Sequence, residues 1–256
     1  MRGQSFVIVS KIIAVTLSAF AVAANAAELK VISGPATAGV LAQLAPRFEH
    51  ETGYKLTKKG GVTGVLKQLI ENGEPFDVAL IPAPLMDQFA KQGKIAANTS
   101  VPFVRVGMGV ALRAGAPKPD ITSVTTFKQA LLNAKSITFV PTGEAANHLK
   151  KVLKDLGIAE QVNAKLHPQQ NVAACIKSVA SGETELYISL TNIIASAKGV
   201  ELAGSFPTEL QHYLVISAGM SAASKEPKGA EALIKLLKSE SAEAAIKANG
   251  LERVGL

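Results

Sequence analysis

Leu29-Lys30-Val31-Ile32-Ser33-Gly34-Pro35 reads as a short apolar strand stopped by a Gly-Pro pair, and the residues after it are helical in pattern. Val40, Leu41, Leu44 and Phe48 recur at helical spacing, and Gly53 ends the run. The unit then repeats. Residues 54–57 read as a second strand and Lys58-Lys59-Gly60-Gly61 as a loop. Thr63 is placed to cap a helix carrying Val65, Leu66, Leu69 and Ile70, which Gly73 stops. Residues 76–81 have the character of a buried strand and lead through Pro82 and Pro84 into a helix bearing Leu85 and Phe89.

Residues 101–112 form a long apolar stretch containing glycine, as a strand crossing between two lobes would. A second α/β unit comes next: a helix over 124–133, a strand over 136–140, a loop over 141–147 and a helix to Leu156. A further helix spans 171–181 and a strand 185–190. Residues 211–218 are again strand-like and carry the chain back, and helices over 228–238 and 242–248 finish it. Alternating strands and helices predict an α/β, two-lobe protein of mainly parallel sheets flanked by helices and joined by two crossing segments. Lobe 1 comprises residues 27–106 and 213–256, and lobe 2 residues 107–212. Two lobes on a hinge close around a ligand.

Composition narrows the function. A hydrophobic fraction of 48% with 18% charged residues excludes a disordered chain. Aromatics are only 5% and Trp is absent, which argues against an aromatic-lined sugar pocket. Arg2 and Lys11 precede or flank an apolar run over 12–24, and Ala24-Asn25-Ala26 is a small-residue cleavage signal. Residues 1–26 are therefore expected to be a secretory signal peptide, placing the mature chain in the periplasm with no stable membrane insertion. The single cysteine, Cys175, sits in an apolar pattern and is expected to be a buried small hydrophobe. The formal charge of +7 favours an anionic partner. The lysines are scattered and no aromatic–basic cluster accompanies them, so nucleic acid is not expected.

The order of motifs resembles the periplasmic substrate-binding proteins of the molybdate-binding type, which have a class II two-lobe receptor fold. The carrying stretches are residues 29–33, 44–49 and 51–53, the run Leu69-Ile70-Glu71-Asn72-Gly73-Glu74-Pro75-Phe76-Asp77-Val78, and residues 146–157 and 230–250. The resemblance implies a periplasmic receptor for a small oxyanion or carboxylate that hands its ligand to an ABC permease as a monomer. Proteins resembling this family include a periplasmic aconitate isomerase, which implies a second reading: cofactor-independent allylic proton transfer. The chain departs from the molybdate pattern where serines are expected, reading Gly34-Pro35-Ala36-Thr37 and Val62-Thr63. Leu190, with Thr191 and Asn192 alongside, stands where that family has a tyrosine.

Ligands of open α/β sheets bind beyond the carboxyl ends of strands. The loops over 33–37, 58–63, 141–148 and 189–192 are therefore the candidate cradle, and several lead into helices whose unpaired N–H groups suit an anion. The candidate ligand residues are Ser33, Gly34, Thr37, Lys58, Lys59, Thr63, Ala145, Asn147, His148, Thr191 and Asn192. Lys58 and Lys59 either neutralise a ligand carboxylate or are solvated surface charges, and Thr63 is a ligand hydroxyl, a helix cap or both. In the isomerase reading, His148 or Glu144 is the acid–base group. Arg105 is expected in a structural ion pair. His50, His167 and His212 lack metal-ligand spacing, and no zinc cluster, phosphate loop or nucleophile elbow appears, so neither metal nor cofactor is expected.

Overall fold

The computed structural model describes residues 27–254, and the expected signal peptide over 1–26 lies outside the described residues. The first unit sets the pattern. Strand β1 (Glu28–Ser33) buries Leu29, Val31, Ile32 and Ser33. Helix α1 (Pro35–Thr52) starts at once because Pro35 fixes a helical φ where no N–H partner is needed. It ends at Gly53, whose φ of 74° closes the helix in the left-handed region. Then come β2 (Lys55–Gly60), α2 (Thr63–Glu71), β3 (Val78–Pro82), α3 (Ala83–Lys91) and β4 (Val101–Val106).

The chain crosses to the second lobe at Gly107. There it forms β5 (Met108–Arg113), α4 (Val124–Asn133), β6 (Ile137–Phe139), α5 (Glu144–Asp155), α6 (Ala159–Asn163), β7 (Leu166–Pro168), α7 (Val172–Ser181), β8 (Leu186–Leu190), α8 (Thr191–Ala195) and β9 (Val200–Ser205). It returns through residues 206–213 to β10 (Leu214–Met220), α9 (Pro227–Lys238), α10 (Glu243–Ala248) and β11 (Glu252–Arg253). One sheet has the order β11-β4-β10-β3-β1-β2, the other β7-β6-β8-β5-β9.

The two-lobe α/β fold holds, but the sheets are mixed rather than mainly parallel. β1 pairs in parallel with β2 and β3, and β6 with β7 and β8, as strand–helix–strand units require. The strands next to the crossings run the other way: β10 is antiparallel to β3 and β4, and β5 to β8 and β9. The crossing stretch over 101–112 is accordingly two strands in two sheets, parted at Gly107. Gln211 clasps this point from the return segment. Its Oε1 accepts from the Met108 N–H at 2.7 Å and its Nε2 donates to the Met108 carbonyl at 3.0 Å.

Three local expectations are corrected. Lys58, Lys59 and Gly60 are strand, not loop, because they stay in register with Val31, Ile32 and Ser33 of β1. A side chain at Gly60 would meet the Ser33 carbonyl at 1.8 Å, so glycine lets the two backbones meet. The N-cap of α2 is Val62, with Thr63 already inside the helix and no side-chain cap. Helix α5 begins at Glu144, so Asn147 lies in the helix rather than the preceding loop. One buried apolar cluster runs from Leu29 and Phe48 through Val106 and Met108 to Phe127 and Leu153, joining both lobes. No helix among the described residues is long and apolar enough to cross a membrane.

Candidate functional site

Where the two lobes face each other they border a partly open cavity of about 60 Å³. Its wall is made of helix starts: Gly34 to Ala36 opening α1, Val62 and Thr63 opening α2, Gly143 to Ala145 opening α5, and Val172 opening α7. The N-cap positions of α1, α2 and α5 are Gly34, Val62 and Gly143, and none of these helices has a side-chain cap. First-turn amides of a helix have no intrahelical acceptor. Among the described residues, the N–H groups of Ala36, Thr63, Glu144 and Ala145 have no acceptor, and all four residues line the cavity. Three helix dipoles thus end on one small space with unspent donors.

The rest of the wall is largely hydrocarbon, including Leu66, Leu80, Pro82, Val140 and Ile188. Against such a hydrocarbon wall each amide–anion hydrogen bond is stronger than in water. Tyr187 and Ser189 also line it, two positions apart on one face of β8, and Ser189 Oγ donates to Tyr187 Oη at 2.9 Å. Burial pushes the Tyr187 phenol well up from its ordinary value, so it remains a protonated hydroxyl at neutral pH. None of the lining residues is Lys, Arg or His, and Glu144 is the one carboxylate among them.

The candidate residues divide into three groups. Gly34, Thr63, Glu144 and Ala145 are on the cavity wall. Ser33, Lys58 and Lys59 line an adjoining outer groove with Gly60 and Asn171, and Lys59 Nζ is spent on Glu74 at 2.7 Å. The remaining residues hold the frame. Thr37 is fully buried and its hydroxyl donates to the Gly34 carbonyl. The Thr191 N–H donates to Gly107, and Asn192 Nδ2 donates to the Ala36 carbonyl at 2.8 Å. Asn147 is not on the cavity wall.

His148 does not reach the cavity either. It lies one helical turn beyond Glu144, where its Nε2 is 2.7 Å from the Leu210 carbonyl and its ring stacks on His212 with centroids 5.0 Å apart. Burial pulls its basicity below the ordinary imidazole value, against the opposing effect of the Leu210 carbonyl. Arg105 pairs with Glu252 at 2.8 Å, as expected of a structural ion pair. Ser189 opens the candidate loop over 189–192, but Tyr187 is absent from the sequence-based candidates, although alternation along β8 puts both residues on one face. Among the described residues no cluster of His, Cys, Asp and Glu could hold a metal ion.

Comparison with known proteins agrees with this geometry. The sequence profile of the bacterial extracellular solute-binding protein family matches residues 29–252. An aconitate isomerase of a Pseudomonas species is 29% identical over 234 residues, covering 88% of each chain. The molybdate-binding protein ModA of Azotobacter vinelandii is 28% identical over 252 residues, covering 96% of this chain and 98% of its own. The solved periplasmic molybdate-binding protein of Azotobacter vinelandii superposes with a TM-score of 0.72 at 23% identity, over 89% of this chain and 99% of its own, which bears on the fold alone. The chain belongs to the bacterial extracellular solute-binding proteins.

Proposed function

We propose that this protein is a periplasmic receptor whose lobes, residues 27–106 with 213–256 and residues 107–212, close around a small anion and present it to an ABC-type permease. In this reading residues 1–26 are a leader removed on export and the mature chain acts as a monomer. The observation that carries it is the convergence of four unspent amides, on Ala36, Thr63, Glu144 and Ala145, on one cavity between the lobes. The similarity to molybdate-binding ModA and family membership support it. At roughly 15 Å³ per water-sized site, the cavity has room for about four waters. It therefore suits a compact anion, and a larger carboxylate requires the lobes to part. Binding to the native state raises the melting temperature. A thermal-shift screen with molybdate, tungstate, sulfate, phosphate and di- and tricarboxylates is the test: a concentration-dependent rise with at least one of them is expected, and no rise with any would refute anion binding.

A second reading is favoured by one observation. The aconitate isomerase is a relative at 29% identity, and Glu144 puts an acid–base group on the cavity wall. A cofactor-independent isomerase needs an anion cradle and one such group. Incubating trans-aconitate with catalytic amounts of protein separates the two readings. Conversion to the cis isomer that is lost in Glu144→Gln supports the enzyme, and recovery of unchanged trans-aconitate supports the receptor. His148 is the weaker base candidate because its Nε2 is engaged by Leu210.

A further inference from the structure

A plain anion cradle has no need of a carboxylate, yet Glu144 opens α5 on the cavity wall beside two of the four free amides. No lining residue is a Lys, Arg or His that could neutralise it there. The nearest cation, when protonated, is His212, whose Nε2 is 3.8 Å from Glu144 Oε1 and which lies outside the cavity wall. A carboxylate only accepts hydrogen bonds. A fully ionised tetrahedral oxyanion also only accepts, so beside Glu144 lone pairs would face lone pairs and like charges would meet.

The same wall offers donors. Tyr187 and Ser189 are 1% and 4% exposed and share one hydrogen bond between two hydroxyls. Two O–H groups joined by one bond leave one proton unspent, whichever oxygen donates. The wall thus presents amide and hydroxyl donors together with a single carboxylate.

We infer that Glu144 is a specificity determinant that makes the cavity select anions retaining an O–H donor over anions that only accept. The shared chemistry is an anionic oxygen plus a hydroxyl or acidic proton on the same small molecule, as in hydrogen phosphate or a hydroxycarboxylate. This inference rests on the reading of the cavity as an anion site. The donor oxygen of the ligand would meet Glu144 while its charged oxygens take the amides of α1, α2 and α5.

Isothermal titration with two matched pairs tests it: sulfate against phosphate, and succinate against malate, each on wild type and Glu144→Gln at neutral pH. One charge-assisted hydrogen bond gained, with a like-charge contact avoided, corresponds to a preference of about tenfold or more. The O–H-bearing member of at least one pair is expected to bind wild type about tenfold tighter, and Glu144→Gln to shrink that preference to about threefold or less. The phosphate and malate arms tell an inorganic ligand from an organic acid. Parity within both pairs for wild type, or a preference that Glu144→Gln leaves intact, overturns the inference while leaving anion binding standing. If no member of either pair binds either protein, this inference is overturned, while the anion reading fails only if the thermal-shift screen is silent as well. Circular dichroism checks that the variant folds, and Glu144→Ala takes its place if it does not.

Discussion

Asn192 and Ala36, 156 positions apart, are joined across the lobes by an Nδ2–H···O bond of 2.8 Å. The amide is well buried, and its Oδ1 is a buried polar atom with no partner among the described residues. This makes the contact asymmetric: the nitrogen holds α8 to the start of α1, while the oxygen already bears a desolvation penalty. Asn192→Ala removes both, so the loss should be about 1 kcal/mol. Asn192→Asp replaces the donor with a second acceptor against the Ala36 carbonyl and buries a charge, and should cost about 3 kcal/mol or more. Urea denaturation of the two variants checks the order; an Ala variant less stable than the Asp variant would contradict it.

The second contact across the lobes is the Gly64 N–H donating to the Thr142 carbonyl at 3.0 Å. A Cβ on Gly64 would lie 2.7 Å from Thr142 Cβ, with the Thr142 carbonyl at 3.2 Å, so the lobes could not meet as they do. Within α2 itself alanine is the better helix former by about 1 kcal/mol. Gly64→Ala should therefore leave the melting temperature of the protein alone unchanged or higher, while cutting ligand affinity by about tenfold through the closed state. Adding Thr142→Gly removes the facing Cβ and should restore part of the affinity. Calorimetric titration of the single and double variants reads both effects; a Gly64→Ala protein with full affinity would show that closure does not pass through this contact.

His148 gives the fold a pH dependence of defined sign. Burial lowers its proton affinity below the ordinary value of 6.5, with His212 and Lys151 adding to the shift and the Leu210 carbonyl and Glu144 opposing it. The unfolded chain then binds the proton more readily than the folded one. The stabilising contribution is present above about pH 6.5 and is lost as pH falls toward the depressed folded value. His148→Gln keeps a neutral donor near Leu210 without a titrating ring. Urea midpoints measured from about pH 7.5 to 5.5 should fall less steeply in this variant than in wild type, and parallel curves would remove His148 as the source.

Cys175 is fully buried, and burial pushes its thiol up to about 11. The thiolate is the reactive form. At about pH 8 the native protein should react with a thiol reagent only as fast as it unfolds, and completely in denaturant. Rapid labelling of the native chain would show the thiol to be open to solvent.

Much of the fold is legible in the sequence because its helices are long enough to show their period. The helix over 124–133 has the bounds its pattern predicts, and Pro35 and Gly53 mark the two ends of α1. Short elements are not legible: α6, β7 and α8 have three to five residues each, too few for a period to emerge. The lysines of β2 look like loop because a strand at the edge of a sheet exposes polar side chains as a loop does. Of the site, glycine-bearing helix starts are readable from the sequence. Contacts between residues far apart in the chain, such as His148 with Leu210 inside the second lobe or Asn192 with Ala36 between the lobes, join residues 62 and 156 positions apart and leave no local trace.

The Tyr187–Ser189 pair makes the last prediction, and its two members should behave differently. Together they hold one unspent proton against the cavity. In Tyr187→Phe the Ser189 hydroxyl loses its partner but keeps its own proton, which is then free for a ligand. Affinity for a bound anion should change by about threefold or less, because the number of donors offered to it stays at one. In Ser189→Ala the phenol keeps the proton it already offers, but its oxygen loses the hydrogen bond it accepts from Ser189, so the donor remains while the contact that aims and polarises it is gone. Affinity should fall about tenfold. Calorimetric titration with the anion that gives the largest thermal shift compares the two. Equal losses would mean that the proton reaches the ligand from Tyr187 as readily as from Ser189, and no loss in either would place the pair outside the binding surface.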